Sequence, residues 1–296
     1  MDVIEEYTPD GAIEYPVFVK PVDSRGSRGQ SICRDAAALP AAIELARQES
    51  SNGDILIERY MEGAREFQVT YFFVDGKAYL LRTADSYSGT AENHLQKVVS
   101  CAVSPSQFTQ LYLETAHRKV EQMFLGMGLR NGPAFLQGFV WQDRFWFFDP
   151  GLRFPGVDYE MIYRKVFGAD LAEAMVRFAL SGSFGSLTLP EAGYALKGKR
   201  AAVLFPTLRA GTVGQIRGLE AVKSHPSVIS CLLRCGPGDT IGWHYNVNQR
   251  MAEIDILAED TEELHAAVDF AQHTLMAVDT SGSDMTLEYF DTRRIR

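Results

Sequence analysis

The segment from Phe135 to Gly156 constrains this chain more than any other. Two strand-like apolar runs, Phe135 to Val140 and Arg144 to Phe148, flank a Gln142-Asp143 turn, a pattern that predicts an antiparallel hairpin. Gln137 and Asp149 ride on that hairpin. A Gly/Pro-flanked arginine follows directly in Pro150-Gly151-Leu152-Arg153-Phe154-Pro155-Gly156. Two hard oxygen donors and one cation can therefore converge, which suits a magnesium-bound phosphate: Mg²⁺ takes oxygen ligands, and a guanidinium neutralises phosphate oxygens.

The first sixty residues read as strand, loop, helix, strand. Val17-Phe18-Val19-Lys20 is a short apolar strand ending in a cation, closed by Pro21. The loop Ser24-Arg25-Gly26-Ser27-Arg28-Gly29-Gln30 is small and cationic, so its backbone N–H groups and the Lys20 ammonium can face one anion. Its spacing is neither that of a Walker A loop nor that of a dinucleotide fingerprint. Asp35 is expected to open an Ala-rich helix carrying Leu39, Ile43 and Ala46, ended by Asn52-Gly53. The strand Ile55 to Glu58 then ends in a carboxylate. The connector Arg59-Tyr60-Met61-Glu62-Gly63 offers backbone groups to a base, and Glu66 follows at a position suited to ribose hydroxyls.

Asp75-Gly76 between Phe67 to Val74 and Lys77 to Arg82 is a strong hairpin signal, so antiparallel sheet is expected there. From Ser106, apolar residues recur three or four apart and predict one long amphipathic helix stopping between Gly126 and Gly128. Asp170 and Glu173 form a capping box for a helix through Leu180, and Ser181 to Ser186 reads as a link. The remainder predicts two strands around Gly236-Pro237-Gly238-Asp239, a strand Met251 to Leu257, a helix opened by Asp260 and Glu263, and a strand near Thr286 to Phe290. These elements divide the chain into residues 1–60, a partial lid; 61–185, a core with the metal and phosphate site; and 186–296, a small α+β unit.

A formal charge of -9 over 296 residues argues against nucleic acid or an anionic membrane as a partner, because both would be repelled. The four cysteines are scattered and read as reduced thiols. No run of about 18 apolar residues is present and the first six residues are acidic, so a cytoplasmic location is expected. The histidines lack paired metal-ligand spacing, and no nucleophile-elbow pattern surrounds Ser181 or Ser183.

In this order, the motifs resemble the ATP-grasp superfamily, in the branch of biotin carboxylase, carbamoyl-phosphate synthetase and the amino-acid and peptide ligases. Tyr15 to Pro21 is similar to the family's lid strand and Gly26-Ser27-Arg28-Gly29 to its phosphate flap. Glu58-Arg59-Tyr60 resembles the adenine hinge, and Glu66 stands at the ribose position. His94-Leu95-Gln96-Lys97-Val98-Val99 is similar to a biotin-carboxylase run whose lysine faces the reacting phosphate. Gln137 and the Asp149 to Gly156 segment resemble the metal motif Glu-x-Asn-x-Arg-x-x-Gly and the donor that precedes it.

The resemblance implies an α+β, ATP-grasp fold with antiparallel sheets. It implies ATP and Mg²⁺ as cofactors. Lys20, Ser27, Arg28, Gly29, Glu58, Arg59, Tyr60 and Glu66 are the implied nucleotide contacts, Gln137 and Asp149 the metal ligands, and Arg153 and Lys97 the catalytic residues. The implied reaction activates a small-molecule carboxylate as an acyl phosphate and transfers it to an amine; the alternative is a nucleotide-binding or regulatory module without turnover. Two departures bear on this. Gly151 stands where the motif has asparagine, so one metal ion is expected, and the domain that precedes the lid in the family is missing here. Three accounts of that absence stay open: a fragment, a homodimer or partner chain supplying the missing part, or lost activity.

Overall fold

Alternation of side chains along the strand Arg65–Val74 decides how the molecule is layered. The computed structural model describes residues 2–24, 28–90, 98–156, 159–243 and 247–296. Phe67, Val69, Tyr71 and Phe73 project to one face, where they pack with Tyr112, Val120 and Phe124 of the helices Thr109–Thr115 and His117–Gly126. Phe72 projects to the other face and meets Ile162, Tyr163 and Leu171 of the helices Tyr159–Phe167 and Leu171–Ser181. Tyr71, Phe72 and Phe73 are all fully buried. With about 1.5–3 kcal/mol for each large side chain removed from water, a one-residue slip of this strand is strongly disfavoured.

This strand lies inside a nine-stranded sheet ordered Asp2–Val3, Arg144–Gly151, Gly132–Trp141, Arg65–Val74, Lys77–Ser88, Val99–Ser104, Arg200–Leu204, Ala252–Ala258 and Val228–Leu233. All neighbours are antiparallel except the first pair. The fold is thus α+β with antiparallel sheets. Of the strands after residue 186, Arg200–Leu204, Ala252–Ala258 and Val228–Leu233 extend the same sheet, and the helix Thr261–Thr274 packs in the core beside them through Leu264, Val268 and Ala271. Both expected hairpins form, with Asp75-Gly76 and Gln142-Asp143 at positive φ as tight turns require. A separate four-stranded sheet, Glu6–Tyr7, Ile55–Arg59, Val17–Pro21 and Ser31–Cys33, carries the helix Leu39–Glu49 on one face.

Two expectations need correction. The helix after Ser106 is two helices, broken at Ala116 where φ is -127°. At the break the His117 Nδ1 comes to 2.6 Å from the Tyr71 hydroxyl, which also lies 2.6 Å from the Tyr112 hydroxyl, so the buried phenols are partnered. The first helix starts at Leu39, because the Asp35 carboxylate accepts from the amides of Ala37 and Ala38 and holds a turn there. The two strands expected around Gly236 to Asp239 form: Val228–Leu233 joins Ala252–Ala258, and Thr240–Ile241 joins Gly211–Arg217. Asp170 and Asp260 cap their helices as the sequence indicates, accepting from the amides of Glu173 and Glu263. All four cysteines are free thiols, and no helix among the described residues is long and apolar enough to cross a membrane.

Candidate functional site

Glu66 and Gln68 share a face with Phe72, yet at their end of the strand the helices give way to a cleft of about 1350 Å³ between the nine-stranded floor and the four-stranded roof. Its floor is set by register. Gln68 lies opposite Gln137, and Gln137 lies opposite Asp149, so the three side chains form a row across adjacent strands. The Asp149 position depends on a bulge: Phe147 pairs with Gly138 and Asp149 with Gln137, leaving Phe148 as the extra residue. Regular pairing would place Asp149 opposite Leu136, on the face packed against the helices. The bulge brings both Phe148 and Asp149 to the cleft.

The roof follows the same alternation. Val17, Val19 and Ile57 face the helix Leu39–Glu49, which turns Phe18, Lys20, Leu56 and Glu58 toward the cleft. The Lys20 Nζ is 2.7 Å from a Glu58 carboxylate oxygen, both side chains being mostly buried, and 5.6 Å from the centre of the Phe148 ring. Roof and floor meet at that lysine.

Burial pushes the Asp149 carboxyl up, while Arg153 and Lys20 pull it back toward ionisation. The Arg153 guanidinium lies over the Phe135 ring at 4.7 Å and donates from Nη1 to the Phe154 carbonyl at 2.9 Å. Gly151 is close against the same ring: a Cβ there would come within 2.1 Å of Phe135. The space a ligating side chain at 151 would need is filled by the aromatic ring on which Arg153 rests. Desolvation also lifts Glu66, to about 7, against the opposing charge of Arg250.

Of the residues expected from the sequence, Lys20, Glu58, Arg59, Tyr60, Glu66, Gln137, Asp149 and Arg153 all line this one cleft. Arg59 lies 5.6 Å from the centre of Trp141 and 3.8 Å from a Glu5 carboxylate oxygen, and the Tyr60 amide donates to the Pro16 carbonyl. Arg28 and Gly29 do not line it. Arg28 lies 3.8 Å from a Glu49 carboxylate oxygen, and Gly29 packs over the same glutamate; Ser24 and Gln30 reach the cleft instead. Ser27 and Lys97 lie outside the described residues.

Sequence reasoning missed the opposite end of the cleft, where Arg234, Arg250 and Arg294 line the wall. Their one signal is a charged residue next to an apolar strand, as in Arg250 before Met251 to Leu257, and that pattern is common on ordinary surfaces.

The family described as carbamoyl-phosphate synthase L chain, ATP binding domain, matches residues 4–123. The carbamoyl phosphate synthase large chain of Micrococcus luteus is 26% identical over 217 residues, which are 71% of this chain and 18% of that protein. In structure, the L-amino acid ligase of Bacillus licheniformis superposes with a TM-score of 0.73 at 18% identity, covering 94% of this chain and 68% of the ligase. The chain has an ATP-grasp fold, and its residues 4–123 are similar to that ATP-binding domain. Another ATP-grasp neighbour, the biotin carboxylase of Campylobacter jejuni solved as a β-γ-ATP complex, superposes with a TM-score of 0.69 at 17% identity, over 96% of this chain and 64% of the carboxylase. At such identities the ATP-grasp neighbours speak for the fold, and the chain spans under a fifth of the Micrococcus relative.

Proposed function

We propose that this chain is the nucleotide-handling part of an ATP- and magnesium-dependent ligase that activates a carboxylate and passes the acyl group to an amine or similar nucleophile. One observation carries the reading: Lys20 from the roof and Gln137, Asp149 and Arg153 from the floor line a single cleft. The donor set fits one magnesium ion. Asp149 and the Gln137 amide oxygen are in-register neighbours, and Mg²⁺ needs only one or two carboxylates beside phosphates and water.

In this reading Mg²⁺, when bound, supplies charge neutralisation on the phosphates. Lys20 exchanges Glu58 for phosphate oxygens, and Arg153, held on Phe135, stabilises charge that develops on the transferred group. A carboxylate oxygen forms a bond to the γ-phosphorus as the bond from that phosphorus to ADP breaks. The amine then forms a bond to the acyl carbon, phosphate leaves with its oxygen, and the amine proton passes to solvent. Positioning and charge stabilisation supply the rate. Lys97 and Ser27, given roles by the resemblance, belong to the same proposal, as does a homodimer or partner chain that completes the substrate side.

The test is ADP formation from MgATP with a panel of carboxylates, using hydroxylamine or amines as acceptors. A carboxylate-dependent release that disappears in Asp149→Ala supports ligation. Tight MgATP binding without ADP under any pairing overturns it in favour of a module without turnover, the reading favoured by the missing ligand at Gly151.

A further inference from the structure

A cleft of about 1350 Å³ exceeds the roughly 300–1,000 Å³ typical of a site for one small ligand. Beyond the phosphate end, its walls change character. Arg234, Arg250 and Arg294 line it there, in a chain whose overall charge is -9. Arg234 is neutralised by the buried Glu253 carboxylate. Arg250 and Arg294 form no ion pair among the described residues.

Arg250 is held as a binding group is held. Gln249 before it is fully buried and donates to the Leu208 carbonyl, and the Met251 amide after it donates to the Pro206 carbonyl. The guanidinium lies over the Phe205 ring, 3.8 Å from its centre, and donates from Nη2 to the Val99 carbonyl at 2.8 Å. Its Nε is buried without a hydrogen-bond partner, a costly state for a cationic donor, and the nearest opposing charges, Glu253 and Glu66, form no ion pair with it. Burial lowers the group to about 10, so the charge persists at neutral pH. Arg294 is restrained similarly, donating to the Ser88 carbonyl and lying over Tyr87 and Phe290.

We infer that this end of the cleft anchors a spectator carboxylate, one that is neither activated nor consumed, on a substrate of the ligation, with Arg250 as its principal contact and Arg294 beside it. The inference deepens the ligase reading and rests on it. A planar guanidinium held over an aromatic ring is preorganised for a carboxylate. The substrate class is therefore either an acceptor amino acid whose carboxylate stays free in the product or a dicarboxylate donor of which one end reacts.

The experiment uses the full chain saturated with a non-hydrolysable MgATP analogue and reads the melting-temperature shift caused by L-amino acids, their carboxamides, linear dicarboxylates and the matching monocarboxylates. Acids are expected to bind roughly 10- to 100-fold more tightly than the matched compounds lacking the second charge. In Arg250→Met that preference collapses, Arg250→Lys restores part of it, and calorimetric affinity for the analogue stays unchanged. Where turnover is seen, hydroxylamine separates the two classes: sensitivity to Arg250→Met persists with this neutral acceptor only if the anchored carboxylate is on the donor. Equal binding of acids and uncharged counterparts, or a wild-type preference that survives in Arg250→Met, overturns the inference. Failure to bind the analogue at all removes the ATP reading instead.

Discussion

The Lys20 ammonium lies 2.7 Å from the Glu58 carboxylate, although the family resemblance assigns the two residues to opposite ends of a nucleotide. In the described chain they neutralise each other in a mostly buried setting, so a triphosphate must compete with Glu58 for the lysine.

Lys20→Met is therefore expected to weaken MgATP binding by about 10- to 100-fold in calorimetry, the loss of a charge-assisted contact. It also leaves Glu58 unpaired, which costs stability. Adding Glu58→Gln recovers much of the melting temperature but not the affinity. Recovery of both would assign Lys20 a purely structural role.

Gly151 tests how tightly the metal segment is packed. A Cβ at this position meets Phe135 at 2.1 Å, so Gly151→Ala should destabilise by about 1–3 kcal/mol in urea unfolding through overpacking. Phe135→Ala in the same chain should relieve most of that loss. An unchanged unfolding midpoint in Gly151→Ala would show that the ring moves away freely.

Deletion of Phe148 removes the extra residue of the bulge while leaving the Gln142-Asp143 turn intact. Phe147 still pairs with Gly138, so Asp149 then falls opposite Gln137 without a bulge and stays on the cleft face, and Mg²⁺ should still enhance nucleotide binding. Loss of the enhancement would show that the bulge geometry, and not register alone, aims Asp149 into the cleft.

Glu66 makes stability depend on pH in a defined direction. Its folded value of about 7 stands above the ordinary 4.5, so the folded state holds the proton more tightly. That stabilisation is complete below about 4.5 and is lost as pH rises to about 7. Melting temperatures of the wild type should accordingly fall relative to Glu66→Gln across this window, and parallel curves would refute the assignment.

How much of this was legible in the sequence varies with how local each cause is. The two hairpins, the Asp170 and Asp260 caps and the roof strand Val17–Pro21 follow from neighbouring residues and are visible directly. Gln137 and Asp149 could be named from motif order, but their alignment depends on a bulge that no local pattern announced. The break at Ala116 was hidden because apolar residues keep helical spacing across it, and its hydrogen-bond partner Tyr71 is 46 residues from His117. Arg250 was invisible for a similar reason: Val99 and Phe205, which hold it, are far away in the chain.

A structure of the chain with Mn²⁺ and a non-hydrolysable ATP analogue is the most direct measurement. The account predicts one anomalous peak about 2.0–2.3 Å from an Asp149 oxygen and the Gln137 amide oxygen, with the triphosphate against Lys20 and Arg153. A nucleotide bound elsewhere, or metal density away from Asp149, would contradict it.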